Sequence, residues 1–509
     1  MDPREQASAT GAQLRRLRQH LRQRPDDGHA WLALARELAR SAPGPELHHA
    51  IEQAIRSLPE QEAPWRLACL LHQQRGGARA ALQWLEGVVR QNPGLQAPRV
   101  VLASLRGDAL RLQGRWQAAL QQYREAAATR PDDPALLNNM GSCLASLADF
   151  EEAERCFRRA LAGRADFAEA RLNLGFLRAC QSRDGEALRE IDAALSQPDL
   201  PQDARDAARR LRALLAEQGR LAPSIANAVD RGEVGKLQRA LEATPEALGG
   251  PHQESVTRLR ELADRCLGLE PPPAGAVPAG RGEHFQLLEA FAQCKLSGGT
   301  DGLAALCRKL REGSAGGPEA QRFLHALEVI RARQGCDPAL LAGPDGEAWL
   351  RYWHARLVGC DRYGRPGQYK LSTNLVDGHS TTPAECVAAT LRLALREILP
   401  GLPAGWTRGL FLYIAVNFVH GFGDGNGRLA RFLLAWATES AGAVPLTIPL
   451  ELRSAAANAL SAWWRGGDLR LLLELLQVAH DHTARDLERL QVLGVRAPAP
   501  GQMPPRPLV

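Results

Sequence analysis

The sequence predicts a mainly α protein in which an N-terminal solenoid of helical repeats precedes an all-helical domain with a small β-hairpin flap. Prolines, glycines and alanines recur at 34-residue intervals through the first two hundred residues. Apolar residues recur at helical spacing over most of the remaining chain. One stretch, residues 365–383, is instead rich in β-branched and turn residues, which predicts the hairpin.

The repeats are predicted to fill residues 28–200, after a leading helix within residues 1–27. Small and large residues keep the period: Gly107, Gly141 and Gly175, then Ala119, Ala153 and Ala187, each alanine followed four residues later by Tyr123, Phe157 or Ile191. This is the pattern of the tetratricopeptide repeat (TPR), a helix pair whose small residues allow close approach, and it predicts about five repeats. Stacked pairs curve into a concave surface, which we expect to bind a segment of a partner protein. The alternative is a spacer or a dimerisation arm.

Five further segments are predicted after the repeats. Residues 201–269 continue the helical pattern as an extension, and the Pro/Gly-rich residues 270–282 predict a semi-rigid linker. Helices within residues 283–334 are expected to precede or pack on a core domain of residues 335–485. The proline-rich end predicts that residues 486–509 form a largely disordered tail.

Residues 420–431, His-Gly-Phe-Gly-Asp-Gly-Asn-Gly-Arg-Leu-Ala-Arg, carry the candidate site. Four glycines alternate along this stretch, and glycine accepts the positive φ angles that let backbone N–H groups face one point. Helically spaced apolar residues follow, so that point lies at the N-terminus of a helix. A helix N-terminus favours an anion such as phosphate.

Side chains of the same stretch supply the groups that phosphate chemistry uses. His420 titrates near neutrality and can act as a general base. Asp424 offers a hard oxygen ligand for Mg²⁺ shared with phosphate oxygens, while Asn426 can cap the helix or bond a phosphate or the loop backbone. Arg428 and Arg431 lie on one face of the helix and can bind phosphates. The combination predicts phosphoryl or nucleotidyl transfer to a hydroxyl.

This stretch resembles the signature of the Fic family, His-x-Phe-x-Asp/Glu-Gly-Asn-Gly-Arg-x-x-Arg. The matching positions are His420, Phe422, Asp424, Gly425, Asn426, Gly427, Arg428 and Arg431. The resemblance covers roughly residues 335–485 and implies a Fic (Fido) domain that transfers AMP from Mg-ATP to a protein Ser, Thr or Tyr hydroxyl. Gly421 departs from the family, which usually has proline there, and glycine implies a less preorganised loop.

The resemblance also implies a role for each matching residue. His420 would deprotonate the target hydroxyl, and Asp424 would hold Mg²⁺ on the α- and β-phosphates. The backbone of residues 425–427 would form the anion hole, and Phe422 would pack the loop onto the core. Two arginines would orient the β- and γ-phosphates. The implied nucleotide-binding set is Gly425, Asn426, Gly427, Arg428 and Arg431.

A second family feature is a β-hairpin, the flap, that positions the target, and residues 365–383 look like it. By that resemblance Lys370, Leu371, Ser372 and Thr373 would position the target. The family often has arginine where Lys370 stands, and lysine lacks the guanidinium group that can form two parallel hydrogen bonds to one partner.

Many Fic proteins are restrained by a helix bearing Ser/Thr-x-x-x-Glu-Gly/Asn, whose glutamate pairs with the second motif arginine. Thr257 and Glu261 have the spacing, but Leu262 follows them. Ser182 and Glu186 also fit, but they lie within a repeat. Intramolecular restraint is therefore not predicted, and an inhibitory partner in trans, or no inhibition, stays open.

Other histidines and the cysteines predict no second centre. His354 lies in a predicted helix, residues 347–357, and is expected to be a structural hydrogen-bond partner rather than a base. His480 and His482 are too isolated for a metal site. The ten cysteines include no Cys-x-x-Cys pair and indicate thiols in a reducing compartment.

The composition, with 45% hydrophobic and 24% charged residues, is that of a soluble globular chain. A net charge of +6 is small for 509 residues and predicts no nucleic-acid partner. No apolar run reaches the ~18 residues of a membrane span, and the N-terminus lacks a secretory signal. We expect a cytoplasmic protein, or an effector secreted without a cleavable signal, and the arginine bias suggests a GC-rich bacterial genome.

The expected function is that of a protein adenylyltransferase that uses ATP and Mg²⁺ on a target selected partly by the repeats. Another donor, such as UTP, GTP or CDP-choline, is an alternative because the motif contacts the diphosphate and not the base. A different class of function is a repeat adaptor whose Fic domain binds nucleotide without turnover.

Overall fold

The described part of the chain is mainly helical in the computed structural model, which confirms the predicted mainly α fold class. The structure describes residues 3–41, 44–198, 200–243, 249–270, 282–294, 296, 298–314, 316–359, 365–376 and 378–498, apart from the side chains of residues 3–10 and 375. The α-helices of this part, in chain order, are α1 Pro3–Gln23, α2 Gly28–Ser41, α3 Pro45–Ser57, α4 Glu62–Gln91, α5 Gln96–Leu112, α6 Trp116–Ala127, α7 Pro134–Ser146, α8 Phe150–Gly163, α9 Ala168–Cys180, α10 Asp184–Leu195, α11 Gln202–Arg231, α12 Val234–Glu242, α13 Gln253–Leu267, α14 Gly282–Gln293, α15 Gly299–Arg311, α16 Pro318–Ala332, α17 Gly346–Val358, α18 Val387–Leu393, α19 Trp406–Val419, α20 Asn426–Ser440, α21 Arg453–Gly466 and α22 Arg470–Val492.

Short irregular elements complete the described chain. Two antiparallel strands, β1 Leu375–Val376 and β2 His379–Ser380, form a two-stranded hairpin. The remaining elements are 3₁₀ turns at Pro338–Leu341, Ala384–Cys386, Leu399–Gly401 and Leu450–Leu452 and a π-helical turn at Ala394–Ile398.

The chain divides into two compact units. The first comprises Met1–Ala179 and Gly185–Ala208, and the second comprises Cys180–Asp184 and Arg209–Val509. The boundary falls within α11, eight residues beyond the predicted end of the repeats.

The first unit consists of helix pairs with the predicted small-to-large contacts. Helix α4 is interrupted by non-helical angles at Gly76 and Gly77, so α2 to α10 form five pairs of helical segments. A Cβ on Gly141 would lie 2.7 Å from the ring of Phe157. The same close approach is made by Gly107 on Tyr123 and by Gly175 on Ile191. Helix α1, Pro3–Gln23, lies within the residues 1–27 that were predicted to hold a leading helix.

The second unit packs around α19, whose side chains are buried almost all round. Apolar residues from α12 to α22 join one continuous core. The helices within residues 283–334 belong to this core and are not a separate layer before it. Arg333 follows α16 and links α14 to α20. Its guanidinium donates to Glu289 of α14 at 2.6 and 2.7 Å and to Glu439 of α20 at 2.6 Å.

One prediction about the second unit is wrong. The tail is not disordered from residue 486: α22 continues to Val492, Val495 is buried, and the His284 Nε2 donates to the Val495 carbonyl at 2.8 Å. Only residues 499–509 of the predicted tail lie outside the described residues, as do residues 271–281 of the predicted linker. Between the hairpin and α19 the helical segment is irregular, because a π-helical turn and a 3₁₀ turn at Pro400 follow α18.

No helix of the described part combines the length and apolarity that crossing a bilayer requires.

Candidate active site

The candidate site lies between α19 and α20, in the loop that joins them. His420 ends α19 in the left-handed conformation, with φ 50° and ψ 52°, and its N–H donates to the Val416 carbonyl at 3.1 Å. Among the four glycines of the stretch, only Gly425 has a positive φ, 84°. A Cβ on Gly425 would lie 2.5 Å from Cγ1 of Val358 and 3.0 Å from Nε2 of His354. The loop therefore needs glycine at this position both for its conformation and for space.

The side chain of Asn426 holds the loop. Its Oδ1 accepts the N–H of Phe422 at 3.0 Å, and its Nδ2 donates to the Phe422 carbonyl at 2.7 Å. Among the alternatives that the sequence left open for Asn426, the structure selects the bond to the loop backbone. This side chain is not free to bind a phosphate, so only the backbone of Asn426 is available to an anion.

His354 holds the same loop from α17. Its Nε2 lies 2.8 Å from the Asp424 carbonyl, and its Nδ1 accepts the N–H of Gly367 at 3.0 Å. A carbonyl can only accept, so Nε2 carries the proton and the ring is neutral. Burial lowers the pKa of His354 to about 3, which keeps it neutral. This is the structural hydrogen-bond partner that the sequence predicted.

The segment before the hairpin is attached to the loop by its backbone. Tyr369 forms an isolated antiparallel bridge with Phe422, and the N–H of Lys370 donates to the Gly421 carbonyl at 2.9 Å. The Lys370 ammonium turns inward and donates to Oγ1 of Thr381 at 2.6 Å, so that only 3% of the residue is exposed. The side chain of Lys370 is therefore not available to contact a target protein, although the flap prediction requires that contact.

A cavity of about 520 Å³ opens over the loop and the first turn of α20. The predicted site residues that line this cavity are His420, Asp424, Gly425, Asn426, Gly427, Arg428 and Arg431. It does not contain Lys370, Leu371, Ser372 or Thr373. The cavity is lined by Gln293, Cys294, Arg322, His325, Ala326, Leu357, His420, Gly423, Asp424, Gly425, Asn426, Gly427, Arg428 and Arg431.

His420 has the hydrogen-bonding pattern of a base. Its Nδ1 lies 3.3 Å from the Asn417 carbonyl, so Nδ1 carries the proton and Nε2 keeps its lone pair. Burial lowers the pKa of His420, and the positive charge of Lys370 lowers it further. Both effects favour the neutral imidazole, which is the form that can accept a proton.

Asp424 presents a carboxylate at the mouth of the cavity, where 71% of its side chain is exposed. Its Oδ1 accepts the N–H of Gly425 at 2.6 Å, and its Oδ2 pairs with Nη2 of Arg428 at 3.0 Å. The described residues contain no group of three or more His, Cys, Asp or Glu side chains that could enclose a metal ion. One exposed carboxylate beside the N-terminus of α20 nevertheless fits Mg²⁺, which usually binds through one or two carboxylates together with substrate phosphates.

Arg431 faces a neutral amide. Its Nη2 lies 3.5 Å from Oε1 of Gln293, at the limit of a hydrogen bond, and its Nε is buried without a partner in the described part of the chain. Burial lowers the pKa of Arg431 to about 10. No described carboxylate forms an ion pair with this guanidinium, and Glu261 pairs with Arg258 instead.

The sequence did not predict several of the residues that line the cavity. Gln293 and Cys294 come from the end of α14, while Arg322 and His325 come from α16. They lie about a hundred residues before the loop and carry no motif. Only the packing of α14 and α16 in the core brings them to the cavity.

Comparison with protein families gives one match, which lies within the first unit. A family model described as TPR repeat matches residues 107–147, so this part of the chain is a tetratricopeptide repeat, as the 34-residue period predicted. No curated protein matches the chain.

Solved structures resemble the chain only distantly. Fic-1 (residues 134–508) from C. elegans is 19% identical over 77% of this chain and 98% of its own, with a TM-score of 0.31. The TPR protein TTC0263 of Thermus thermophilus is 22% identical over 36% of this chain and 97% of its own, with a TM-score of 0.29. The first TPR of Spaghetti (RPAP3), bound to an HSP90 peptide, is 21% identical over 24% of this chain and 96% of its own, with a TM-score of 0.22. At TM-scores this low, none of the three alignments establishes a shared fold.

Proposed function

We propose that the second unit is a Fic-type transferase that moves the AMP group of ATP onto a hydroxyl of a target protein. One observation carries the proposal: the free Nε2 of His420 and the N-terminus of α20, with its two arginines, share one cavity. A base beside an anion site is what nucleotidyl transfer to a hydroxyl needs.

The chemistry follows from the positions of these groups. The Nε2 of His420 takes the proton of a Ser, Thr or Tyr hydroxyl, and the hydroxyl oxygen attacks the α-phosphorus. The bond from that phosphorus to the bridging oxygen breaks, and pyrophosphate leaves. Backbone N–H groups at the start of α20 stabilise the charge that develops, and Arg428 and Arg431 hold the leaving group. Mg²⁺, held by Asp424, would neutralise phosphate charge.

The repeats are proposed to contribute target selection. A tetratricopeptide solenoid presents a concave surface that binds extended segments of other proteins. A transferase with a small, open cavity has few contacts of its own to a folded target. Its selectivity is then expected to depend on residues before 200 as well as on the cavity.

Isotope position tests the proposal directly. The protein is incubated with Mg²⁺, a cell lysate and ATP labelled at either the α- or the γ-phosphate. Transfer of AMP labels proteins from α-labelled ATP only, whereas label from the γ-position would indicate phosphoryl transfer instead. Mass spectrometry of the purified chain then gives the mass of any self-added nucleotide and identifies the donor.

Two histidine variants complete the experiment. His420→Ala is expected to abolish labelling and to keep nucleotide binding, because the base is removed and the anion site stays. His482→Ala, on the surface of α22, is the matched control and should label as the unchanged protein does. Binding of nucleotide with no transfer in the unchanged protein would favour the adaptor over the enzyme.

A further inference from the structure

A second cavity, of about 580 Å³, lies within the second unit, and none of the described residues that line it lines the candidate active site. Part of its wall is apolar and is formed by Leu214, Leu221, Leu241 and Leu393. Two other lining residues, Arg396 and Glu397, belong to the π-helical turn that follows α18. Turns of this kind are frequent at functional sites, so the cavity is a candidate for a role of its own.

An acceptor without a partner lies in the wall of this second cavity. Gln218 of α11 is only 4% exposed, and its Nε2 donates to the Tyr369 carbonyl at 2.7 Å. A carbonyl can only accept, so the amide has one orientation and Oε1 is left as the acceptor. This oxygen is buried and has no hydrogen-bond partner among the described residues. A buried polar atom without a partner is unfavourable, and an occupant that donates an N–H or O–H would remove that cost.

Arg392 offers donors to the same cavity. Its Nε donates to Oε2 of Glu347 at 2.9 Å, whereas Nη1 and Nη2 form no hydrogen bond within the described part of the chain. The residue lines the cavity, and 32% of its side chain is exposed. A guanidinium with free N–H groups can bind both oxygens of a carboxylate.

The described charges around the second cavity leave one positive charge in excess. Glu347 is buried and is shared by two guanidiniums, because the Nε of Arg351 donates to its Oε1 at 3.1 Å. An anion is therefore the charged group that this cavity can accept without leaving a charge unbalanced. The remaining charged lining residues have neighbours of opposite sign, which are Glu217 with Arg220, Glu385 with Arg210, and Glu397 with Arg396.

We propose that the second cavity is a binding site for a small carboxylic acid that has an apolar body and one N–H or O–H donor. Arg392 binds the carboxylate, the four leucines contact the apolar body, and Oε1 of Gln218 accepts the donor. The volume is within the range of about 300–1,000 Å³ that is usual for small-molecule sites. The proposal is independent of nucleotide transfer, because it uses none of the residues of the candidate active site.

Calorimetric titration with N-acetyl-leucine tests the proposal, because this probe carries a carboxylate, an amide N–H and an isobutyl group. The unchanged protein should bind it at millimolar or lower concentration. N-acetyl-leucinamide, in which a neutral amide replaces the carboxylate, should bind roughly tenfold more weakly or less. The acid 4-methylpentanoate lacks the amide N–H and should bind roughly two- to tenfold more weakly.

Two variants locate the binding. Arg392→Gln should lose roughly tenfold of its affinity for N-acetyl-leucine and keep its weak affinity for N-acetyl-leucinamide, because only the contact with the carboxylate is removed. Ala388→Phe fills the cavity without changing a charge and should abolish binding of all three probes. Arg485→Gln, on the exposed surface of α22, is the matched control and should bind as the unchanged protein does.

Failure of the unchanged protein to bind N-acetyl-leucine would overturn the proposal. Equal affinities for the acid and its amide would do the same, since the site would then not recognise a carboxylate. Normal binding in Ala388→Phe would place the probe elsewhere on the protein, and normal binding in Arg392→Gln would remove the residue on which the proposal depends. If Arg392→Gln does not fold, the ratio of acid to amide affinity and the loss in Ala388→Phe decide without it.

Discussion

The imidazole of His354 lies flat against the phenyl ring of Phe422, with the ring centroids 3.6 Å apart and the ring planes 9° apart. The same imidazole bonds the Asp424 carbonyl and the Gly367 N–H. One buried side chain of α17 thus holds the loop, its aromatic anchor and the segment before the hairpin. It does so only while the ring is neutral, because a protonated Nδ1 could no longer accept the N–H of Gly367.

Replacement of His354 by phenylalanine is expected to keep the ring stack and lose both hydrogen bonds. Two buried backbone groups are then left without partners, and each such group costs about 1–3 kcal/mol. The pH dependence separates this from simple packing. A pKa lowered from 6.5 to about 3 means that the folded unchanged protein loses stability as the pH falls from 6.5 toward 3. His354→Phe should lose less stability over that interval in thermal unfolding, and an equally steep loss would contradict the assignment.

Lys370 is expected to set the pH range of His420. The ammonium lowers the pKa of the imidazole, so Lys370→Met should raise that pKa and move the acid limb of kcat/KM for transfer to higher pH. Lys370→Arg should move it back, because the charge returns. The pH–rate profile gives the measurement, with Lys309→Met on the surface of α15 as the control. A limb that stays in place in Lys370→Met would show that the ammonium does not act on the base.

Alanine at Gly425 should disable the anion site. The positive φ alone costs about 1–2 kcal/mol for a residue with a Cβ, and the new atom would lie 2.5 Å from Val358. Nucleotide affinity should fall at least tenfold, as measured by calorimetry. Gly466→Ala, at the exposed end of α21 and outside the cavity, is the control, since a Cβ there meets nothing within 4 Å and its φ is not positive. If both variants bind alike, the loop conformation does not determine binding.

A carboxylate at position 293 should compete with the phosphates. Gln293→Glu places a negative charge where the amide oxygen now lies 3.5 Å from Nη2 of Arg431, and a buried guanidinium without a counter-ion should pair with it. Calorimetry should show weaker ATP binding than in the unchanged protein, while Gln293→Ala, which adds no charge, should bind close to normally. Equal ATP affinity in the two variants would indicate that Arg431 does not contact the ligand.

The close helix packing in the first unit can be tested by substituting its periodic glycines. Gly141→Ala pushes a Cβ to within 2.7 Å of the Phe157 ring, and overpacking of this kind costs about 1–3 kcal/mol. Gly87→Ala, in a helix of the same unit with open space around it, should instead stabilise by up to about 1 kcal/mol. Thermal unfolding followed by circular dichroism compares the two. A destabilised Gly87→Ala or a neutral Gly141→Ala would contradict the packing described.

Local patterns were enough for the features that depend on neighbouring residues. The period of Gly107, Gly141 and Gly175 predicted both the helix pairs and the large side chains that pack on them, because two helices can approach closely only where one of them lacks a side chain. Likewise, the residues from His420 to Arg431 predicted a loop and a helix start, since they follow one another within twelve residues of the chain. The four alternating glycines suggested several positive φ angles in this loop, however, and among them only Gly425 has one.

The contacts that tune the site were decided by tertiary structure alone. The amide of Gln293 and the buried ammonium of Lys370 come from segments at least fifty residues before the loop. Gln293 carries no motif, and the sequence assigned Lys370 to the flap rather than to a contact with Thr381. Whether Lys370 would face a target or turn inward to Thr381 depended on space in the folded core, where burial lowers the pKa of Lys370 to about 7 and also lowers the pKa of His420. The order of residues along the chain determined which groups lie together in the loop and at the start of α20. The packing of α14, α17 and α21 decided which distant groups come close to them, because burial energies arise only when helices far apart in the chain come together.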